Sequence, residues 1–240
     1  MKAILLAAGL GTRLRPLTNN LPKCMVPVAG KPVLERNVAW LRNQGIVDII
    51  VNLHYFAASV TDYFGDGADF GVRIAYSHEA ELMGTAGAVW AARQFFDDEE
   101  RFLVVYADNL IRCDLARLHA QHLSQQAALT MALFWREDVS ASGVVNLAED
   151  ERIIFFQEKP PPGAASSHWV NAGLLLCEAG VLDLIPAGRY SDFGHDVLPA
   201  MLSSGMPMYG YRMGEDESLY WIDTLADLAR TNAQMEESER

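Results

Sequence analysis

Residues 3–15 have the sequence Ala-Ile-Leu-Leu-Ala-Ala-Gly-Leu-Gly-Thr-Arg-Leu-Arg. The apolar run at residues 3–8 is typical of a strand buried on both faces. Gly9 and Gly11 then allow a tight turn and a close approach of the backbone to a ligand. Because backbone N–H groups and cations such as Arg13 and Lys23 suit a polyphosphate, the stretch predicts a phosphate site. Taken alone, the two glycines favour the alternative of an ordinary turn beside solvated arginines.

Two familiar phosphate-binding motifs do not fit this stretch. It lacks the Gly-Lys-Ser/Thr ending of a P-loop. It also differs from a dinucleotide-binding fingerprint, because Leu14 stands where the third glycine should be. A different kind of phosphate site is therefore expected.

Helices and strands alternate along the first part of the chain. The hydrophobic pattern predicts strands at 46–53, 72–77 and 102–107 and helices at 33–44, 55–64 and 84–96. This alternation is typical of an α/β fold with a mostly parallel sheet and helices on both faces.

The later pattern is looser. It predicts helices at 115–125, 196–203 and 225–236 and strands at 127–135, 144–147, 153–157, 169–177 and 208–213. Residues 160–163, Pro-Pro-Pro-Gly, predict an exposed, mobile loop. No linker separates two independent domains, so we expect one domain whose second half elaborates the sheet.

Composition narrows the class of protein. The formal net charge of -12 argues against a nucleic-acid-binding surface, which would normally be basic. No apolar run approaches the roughly 20 residues that span a bilayer, and Met1-Lys2-Ala3 leads into a strand without a signal peptide. The widely spaced Cys24, Cys113 and Cys177 are typical of reduced thiols. We therefore expect a soluble cytoplasmic protein with no nucleic-acid or membrane partner.

Three short motifs together resemble the signature of the sugar-1-phosphate nucleotidylyltransferases. In chain order they are Gly9-Leu10-Gly11-Thr12-Arg13-Leu14, Pro22-Lys23 and Gly30-Lys31-Pro32. The resemblance implies a single Rossmann-like three-layer α/β domain with a mixed, mainly parallel central sheet. That domain would cover residues 1–240, with a nucleotide-binding part at about 1–110 and a sugar-phosphate-binding part at about 111–240.

The resemblance also implies a Mg²⁺ site. Asp108 ends the strand at 102–107, and ligands of open α/β sheets bind outside the carboxyl ends of strands. From the residues alone, Asp108 is equally explained as the cap of the next turn. In the family, aspartates resembling Asp108 and Asp223 bind Mg²⁺, which prefers oxygen ligands. The chain departs from the family at Ala107, usually a glycine, and after Asp223, where a Gly-Thr pair is missing and the segment is shorter.

Nucleotide-binding residues are implied by the same resemblance. They are Ala8, Gly9, Gly11, Thr12, Glu79, Gly84 and Thr85. The segment Gly84-Thr85-Ala86-Gly87 is most similar to the guanylyl-transferring branch, although uridylyl- and thymidylyltransferases carry similar segments. Close helix–strand packing is the structural alternative for its glycines.

Sugar-phosphate contacts are implied by Glu158-Lys159-Pro160 and Asn171-Ala172-Gly173. The residues expected to bind sugar hydroxyls are Asn109, Glu158, Asn171 and Gly173. Lys159 would meet the phosphate of the sugar, whereas an isolated Glu-Lys-Pro would be a solvated strand end.

The expected reaction needs positioning and charge more than proton transfer, because the phosphate of the sugar is already an anion. We assign catalytic roles to Arg13, Lys23 and Lys159 and expect GTP with a mannose- or heptose-type sugar 1-phosphate as substrates. The alternatives are a uridylyl- or thymidylyltransferase of the same family and a non-catalytic regulatory module that binds nucleotide sugars. A homodimer is one option for the assembly.

Overall fold

The computed structural model describes residues 1–161 and 163–238, so Pro162 of the expected proline loop lies outside the described residues. The strands are β1 (Lys2–Leu6), β2 (Pro27–Val28), β3 (Lys31–Pro32), β4 (Asp48–Leu53), β5 (Arg73–His78), β6 (Arg101–Tyr106), β7 (Leu110–Arg112), β8 (Leu129–Trp135), β9 (Gly143–Leu147), β10 (Ile153–Glu158), β11 (Trp169–Glu178), β12 (Met208–Arg212) and β13 (Ser218–Tyr220). The α-helices are α1 (Val33–Asn43), α2 (Ala57–Phe64), α3 (Gly84–Ala91), α4 (Leu115–Ser124), α5 (Leu198–Ser203) and α6 (Leu225–Ser238).

The chain divides into two compact units. The first contains Met1–Leu82, Val105–Arg112 and the chain from Leu219 onward. The second contains Met83–Val104 and Cys113–Ser218. Each unit therefore gathers segments that are distant in sequence.

The strands of the central sheet that lie in the first unit pair in parallel. β1 pairs in parallel with β4, with Leu6 opposite Asn52, and β4 pairs in parallel with β5. β6 is the other neighbour of β1, and the N–H of Ala107 donates to the carbonyl of Leu6 at 3.0 Å. The loop after β1 and Glu79 after β5 therefore leave the sheet at the same edge, and Asp108 follows a residue bonded to the end of β1.

Apolar side chains from three segments of the first unit form one buried cluster. Its members are Leu14, Val26, Val28, Val33, Leu110, Ile222, Leu228 and Met235. Burying a side chain of this kind contributes about 1.5–3 kcal/mol. Since Leu14 follows Arg13 and Ile222 precedes Asp223, the cluster fixes the backbone beside both charged residues.

The strands of the central sheet that lie in the second unit pair in both directions. β11 pairs antiparallel with β8 and β9, and β9 pairs antiparallel with β10. β12 pairs with β8 in parallel. The register of β11 shifts between Asn171 and Leu175, where Gly173 has a φ of +79° that glycine adopts without steric cost.

Two helices differ from the bounds that the hydrophobic pattern predicted: one ends earlier and the other begins earlier. α3 ends at Ala91 and a separate 3₁₀ turn follows; Arg93 donates to the carbonyl of Trp90 at 3.1 Å and satisfies that helix end. The helix predicted at 196–203 starts instead as a π-helical turn at Phe193–Val197 and continues as α5. It starts early because the carboxylate of Asp192 accepts from two N–H groups of that turn.

The predicted α/β fold with a mixed central sheet is confirmed. β7 and β13 pair with each other and were not predicted, because three residues show no period. Within the described residues, every helix is too short or too polar to cross a membrane.

Candidate functional site

The two glycines of the loop after β1 have different surroundings. Neighbouring atoms leave no space for a side chain at Gly11, whereas the space around Gly9 is open. Gly11 has a φ of +60°, and a Cβ on it would lie 2.8 Å from the Cβ of Lys23. The hydroxyl of Thr18 donates to the carbonyl of Gly11 at 2.7 Å. Around Gly9, a Cβ would meet no described atom within 4 Å. The backbone at Gly9 can therefore approach a ligand closely. Of the two other residues predicted in this loop, Ala8 is buried and Thr12 is exposed.

Lys23 lies between two carboxylates from distant parts of the chain. Its Nζ is 2.9 Å from Asp108 Oδ2 and 2.9 Å from Asp223 Oδ1. Arg13 Nη2 lies 3.0 Å from the same oxygen of Asp223. Burial by itself would lower the pKa of Lys23, but the charges of Asp108 and Asp223 outweigh it and raise the pKa. The first unit thus brings together four charged residues that the sequence singles out, with the lysine protonated.

The carboxylates of Asp108 and Asp223 fit a divalent cation. Asp108 Oδ1 is buried and has no hydrogen-bond partner among the described residues, which is uncommon for a buried carboxylate oxygen. The described residues contain no cluster of three or more His, Cys, Asp or Glu side chains arranged for a metal ion. The protein would therefore supply two carboxylates, and phosphate oxygens and water would complete the octahedral oxygen set that Mg²⁺ prefers.

The helix α6 starts shortly after Asp223, without the Gly-Thr pair usual in the resembled family. Thr224 Oγ1 accepts from the N–H of Asp227 at 3.1 Å, and Asp227 Oδ2 accepts from the N–H of Thr224 at 3.1 Å. This reciprocal capping box begins the helix directly after Asp223. The shorter segment therefore still gives α6 a defined start next to this aspartate.

Asn109 connects the segments that carry the two aspartates. Its Oδ1 accepts from the N–H of Ile222 at 2.9 Å. Its backbone carbonyl accepts from Nδ2 of Asn37 at 2.9 Å. Asn109, predicted to bind a sugar, therefore also makes contacts inside the protein. Sequence reasoning missed Asn37, because it lies on the apolar face of α1 and belongs to no motif.

Glu79 is buried and joined to the end of β1. Its Oε1 accepts from Nδ2 of Asn52 at 2.7 Å, and Oδ1 of Asn52 accepts from the N–H of Ala7 at 2.6 Å. The backbone carbonyl of Glu79 also bonds to Nδ1 of His54 at 2.9 Å. A polar Asn52 inside an otherwise apolar strand is the one sequence signal that could have revealed this link.

The glycine-rich segment at the start of α3 packs closely against other backbone of the second unit. A Cβ on Gly84 would lie 2.4 Å from the carbonyl oxygen of Ser191, and Gly84 has a φ of +75°. Thr85 Oγ1 donates to Asp192 Oδ2 at 2.8 Å and accepts from the N–H of Phe193 at 2.9 Å. The structural alternative, close packing, thus accounts for Gly84, and the base-binding role of Gly84 and Thr85 remains a prediction.

Glu158 lies beside two glycines of the second unit. A Cβ on either Gly143 or Gly194 would lie 2.8 Å from Glu158 Oε2, so these glycines leave room for the carboxylate. The next residue, Lys159, has a φ of +45°, a strained conformation for a side-chain-bearing residue. Its side chain is 64% exposed, and its Nζ lies 3.5 Å from Glu158 Oε1. The residues predicted to contact the sugar and its phosphate are thus adjacent, and the lysine is the exposed one of the two.

Asn171 and Gly173 form a local loop in β11. Oδ1 of Asn171 accepts from the N–H of Gly173 at 2.8 Å, at the bulge in that strand. The side chain of Asn171 therefore shapes the backbone that would meet a sugar.

The chain is similar to proteins of one family along nearly its whole length. A family model described as nucleotidyl transferase matches residues 2–238. The chain is 38% identical over 237 residues to a UTP–glucose-1-phosphate uridylyltransferase of Synechocystis, covering 93% of this chain and 60% of that protein. It is 36% identical over 239 residues to a mannose-1-phosphate guanylyltransferase of Mycobacterium tuberculosis, covering 97% of this chain and 64% of that protein. The chain thus spans less than two thirds of the length of each of these two relatives.

A solved structure from Bacillus anthracis has the same fold. That protein, assigned as a glucose-1-phosphate thymidylyltransferase and crystallised with a sucrose, superposes with a TM-score of 0.86 at 26% identity. The match covers 98% of this chain and 94% of that one. The chain therefore belongs to the nucleotidyl transferase family, as its resemblance to the sugar-1-phosphate nucleotidylyltransferases predicted.

Proposed function

We propose that the protein joins a nucleoside triphosphate and a sugar 1-phosphate to give a nucleoside-diphosphate sugar and pyrophosphate. The observation that carries this proposal is the buried Lys23 between Asp108 and Asp223, with Arg13 beside it, directly after the glycine loop. Such a group of cations and carboxylates suits a polyphosphate and its metal ion. The arrangement needs no nucleophilic side chain of its own.

The chemistry is a transfer at the α-phosphorus of the nucleotide. An oxygen of the sugar 1-phosphate forms a bond to that phosphorus, and the bond from it to the oxygen bridging to the β-phosphorus breaks. Pyrophosphate leaves with the electron pair of that bond. The attacking phosphate is already an anion, so no general base is required. The protein must bring two anions together and stabilise the charge that moves onto pyrophosphate.

The residues of the first unit would bind the triphosphate. Backbone N–H groups at Ala8, Gly9, Gly11 and Thr12 would meet phosphate oxygens, and Arg13 and Lys23 would neutralise the pyrophosphate as it leaves. Asp108 and Asp223 would hold Mg²⁺. When bound, Mg²⁺ supplies a Lewis acid that stabilises negative charge on phosphate oxygens.

Lys159 and the residues predicted to bind sugar hydroxyls would hold the sugar 1-phosphate. Lys159 would hold its phosphate by charge, as its exposed side chain allows. Glu158 would accept from sugar hydroxyls, and Asn171 and Gly173 would complete the contacts. Oε2 of Glu158 lies close to Gly143 and Gly194, where a Cβ would crowd it, and it offers an acceptor for a hydroxyl.

GTP with a mannose- or heptose-type 1-phosphate is the first choice of substrates. The sequence Gly84-Thr85-Ala86-Gly87 and the similarity to the mannose-1-phosphate guanylyltransferase support it. UTP with glucose 1-phosphate is the second candidate, because the uridylyltransferase of Synechocystis shares 38% of residues over the matched region. The buried cysteines fit a cytoplasmic site of action.

Pyrophosphate release tests the proposal. We would measure it with Mg²⁺ across GTP, UTP, dTTP, CTP and ATP and a panel of sugar 1-phosphates. Release that requires one nucleotide and one sugar supports the transferase and identifies its substrates. Nucleotide binding without release from any pair would overturn it in favour of a regulatory module.

Substitution of the phosphate-binding cations extends the test. Arg13→Ala and Lys23→Met should each lower turnover by about 100-fold or more if the cation stabilises the transition state. Arg73→Met is the matched control, because Arg73 pairs with Asp48 at the amino end of β5. Turnover of the Lys23 variant equal to that of the control would exclude a catalytic role for Lys23.

A further inference from the structure

The two aspartates at the charged site are attached to segments that meet through one side chain. Oδ1 of Asn109, the residue after Asp108, accepts from the N–H of Ile222, the residue before Asp223, at 2.9 Å. The two bonded residues are 113 positions apart in sequence. A single side-chain-to-backbone hydrogen bond thus links the neighbours of both carboxylates.

A second asparagine holds Asn109 from the other side. Nδ2 of Asn37 donates to the backbone carbonyl of Asn109 at 2.9 Å, and Asn37 is only 1% exposed. Its Oδ1 is buried and accepts no hydrogen bond from the described residues. An unsatisfied buried acceptor costs stability. Keeping a polar side chain on the apolar face of α1 at that cost indicates that its one hydrogen bond has a use beyond stability.

The contacts of Lys23 show why such a link is needed. Lys23 bridges Asp108 and Asp223 through its Nζ. A metal ion and phosphate oxygens that bind the same carboxylates compete with this bridge. Some other contact must then keep the two carboxylates at a fixed separation. The hydrogen bond of Asn109 can do so, because it does not involve either carboxylate.

We propose that Asn109 is a positioning residue that sets the separation of Asp108 and Asp223 for a divalent cation, with Asn37 as its support. This inference rests on the proposed function for the identity of the cation. The two hydrogen bonds of Asn109 use its Oδ1 and its backbone carbonyl, so its Nδ2 can also meet a sugar, as the family resemblance implies. The two roles are separable by experiment.

Mn²⁺ binding to the full chain, followed by the electron paramagnetic resonance of the unbound ion, tests the positioning role. Asn109→Ala should weaken Mn²⁺ binding about 10-fold or more, the effect typical of losing a group that orients metal ligands. The matched control is Asn232→Ala, because Oδ1 of Asn232 accepts from the N–H of Ala29 at 2.7 Å in the same unit. The control should bind Mn²⁺ as the unsubstituted protein does. Equal affinity in the Asn109 and Asn232 variants would overturn the inference.

Kinetics separate positioning from direct sugar contact. A positioning role predicts that Asn109→Ala raises the Mg²⁺ concentration needed for half-maximal turnover and leaves the KM for the sugar 1-phosphate unchanged. A raised KM for the sugar with normal Mn²⁺ binding would overturn positioning. If circular dichroism shows that Asn109→Ala does not fold, Asn37→Ala takes its place. We expect that variant to lose Mn²⁺ affinity several-fold. An affinity equal to that of the Asn232 control would overturn the inference.

The inference and the proposed function can fail separately. If the unsubstituted protein binds Mn²⁺ but releases no pyrophosphate from any pair, the proposed reaction fails, and the ranking of Mn²⁺ affinities still judges Asn109. If the unsubstituted protein binds no Mn²⁺, the inference is overturned whatever the turnover.

Discussion

Replacing Lys23 by methionine removes one positive charge from the centre of the first unit while keeping an unbranched apolar side chain. The lysine side chain is 7% exposed, so its stem is packed and only its ammonium group faces the carboxylates. Methionine fills a similar space without a charge. The substitution therefore tests the ion contacts and not the loss of a large side chain.

The distances give the size of the expected effect. Two unit charges 2.9 Å apart attract by about 6 kcal/mol at an effective dielectric constant near 20. The cost of burying the ammonium group offsets much of this attraction. Asp108 is 39% exposed, so solvent screens its contact strongly, whereas Asp223 is 17% exposed. Breaking a buried pair by removing one partner costs about 3–5 kcal/mol, so we expect a loss near the low end, about 3 kcal/mol.

Urea unfolding at pH 7.5 measures this loss. Lys31→Met is the matched control, because Lys31 is 61% exposed and its contact with Glu35 is a surface pair. Such pairs contribute about 0.3–0.5 kcal/mol. A Lys23 variant that is no less stable than the Lys31 variant would refute the argument that the buried lysine stabilises the carboxylates.

The same experiment at different pH values predicts the direction in which the stability difference changes. The pKa of Lys23 is raised above its ordinary value of 10.5, so the stability that its charge contributes is complete below pH 10.5. That stability is lost as the pH rises through the pKa of the folded state. The difference between the unsubstituted protein and the Lys23 variant should therefore shrink at strongly alkaline pH. A difference that grew with pH there would contradict the assignment.

Two further substitutions test features of the second unit. Gly84→Ala places a Cβ 2.4 Å from a backbone oxygen at a φ of +75°, so we expect the free energy of unfolding in urea to fall by at least about 2 kcal/mol. Gly180→Ala is the control and should change it little, because a Cβ there meets open space. Burial lowers the pKa of His122 although Glu178 opposes the shift; the stability gained from a neutral His122 is present above about pH 6.5 and is lost as the pH falls. Thermal unfolding between pH 7.5 and 5.5 should therefore show a steeper loss for the unsubstituted protein than for His122→Gln. An equal slope in the two proteins would contradict this.

Most helices and strands could be predicted from local sequence patterns. The apolar runs and their period are properties of neighbouring residues, and β1, β4, β6 and α1 lie within two residues of their predicted bounds. The exceptions depend on single side-chain contacts. The helix at 196–203 was misplaced because the carboxylate of Asp192 starts the turn earlier, and no periodicity reports such a bond.

The charged site was partly predictable for a different reason. Strand ends and the family resemblance pointed to Arg13, Lys23, Asp108 and Asp223, which the structure brings within 3.0 Å contacts. They did not indicate that the lysine would bridge both carboxylates, because that depends on the separation of two backbone segments. The contacts of Asn37 and Asn52 depend in the same way on residues far away in sequence. The polar Asn52 in an apolar run could at most have suggested a buried hydrogen bond, and Asn37 has no such local signal.

The charged site also sets an order of events during synthesis. Lys23 is 85 residues from Asp108 and 200 residues from Asp223. At 5–20 residues per second, about 10–40 s separate the emergence of Lys23 from that of its last partner. Contacts of such long range close late, because the entropy of the intervening chain must be lost first. The first unit also lacks Ile222, Leu228 and Met235 of its apolar cluster until that time. Nascent chains therefore expose an incomplete apolar cluster, and Lys23 lacks one of its two carboxylate partners, until α6 has left the ribosome.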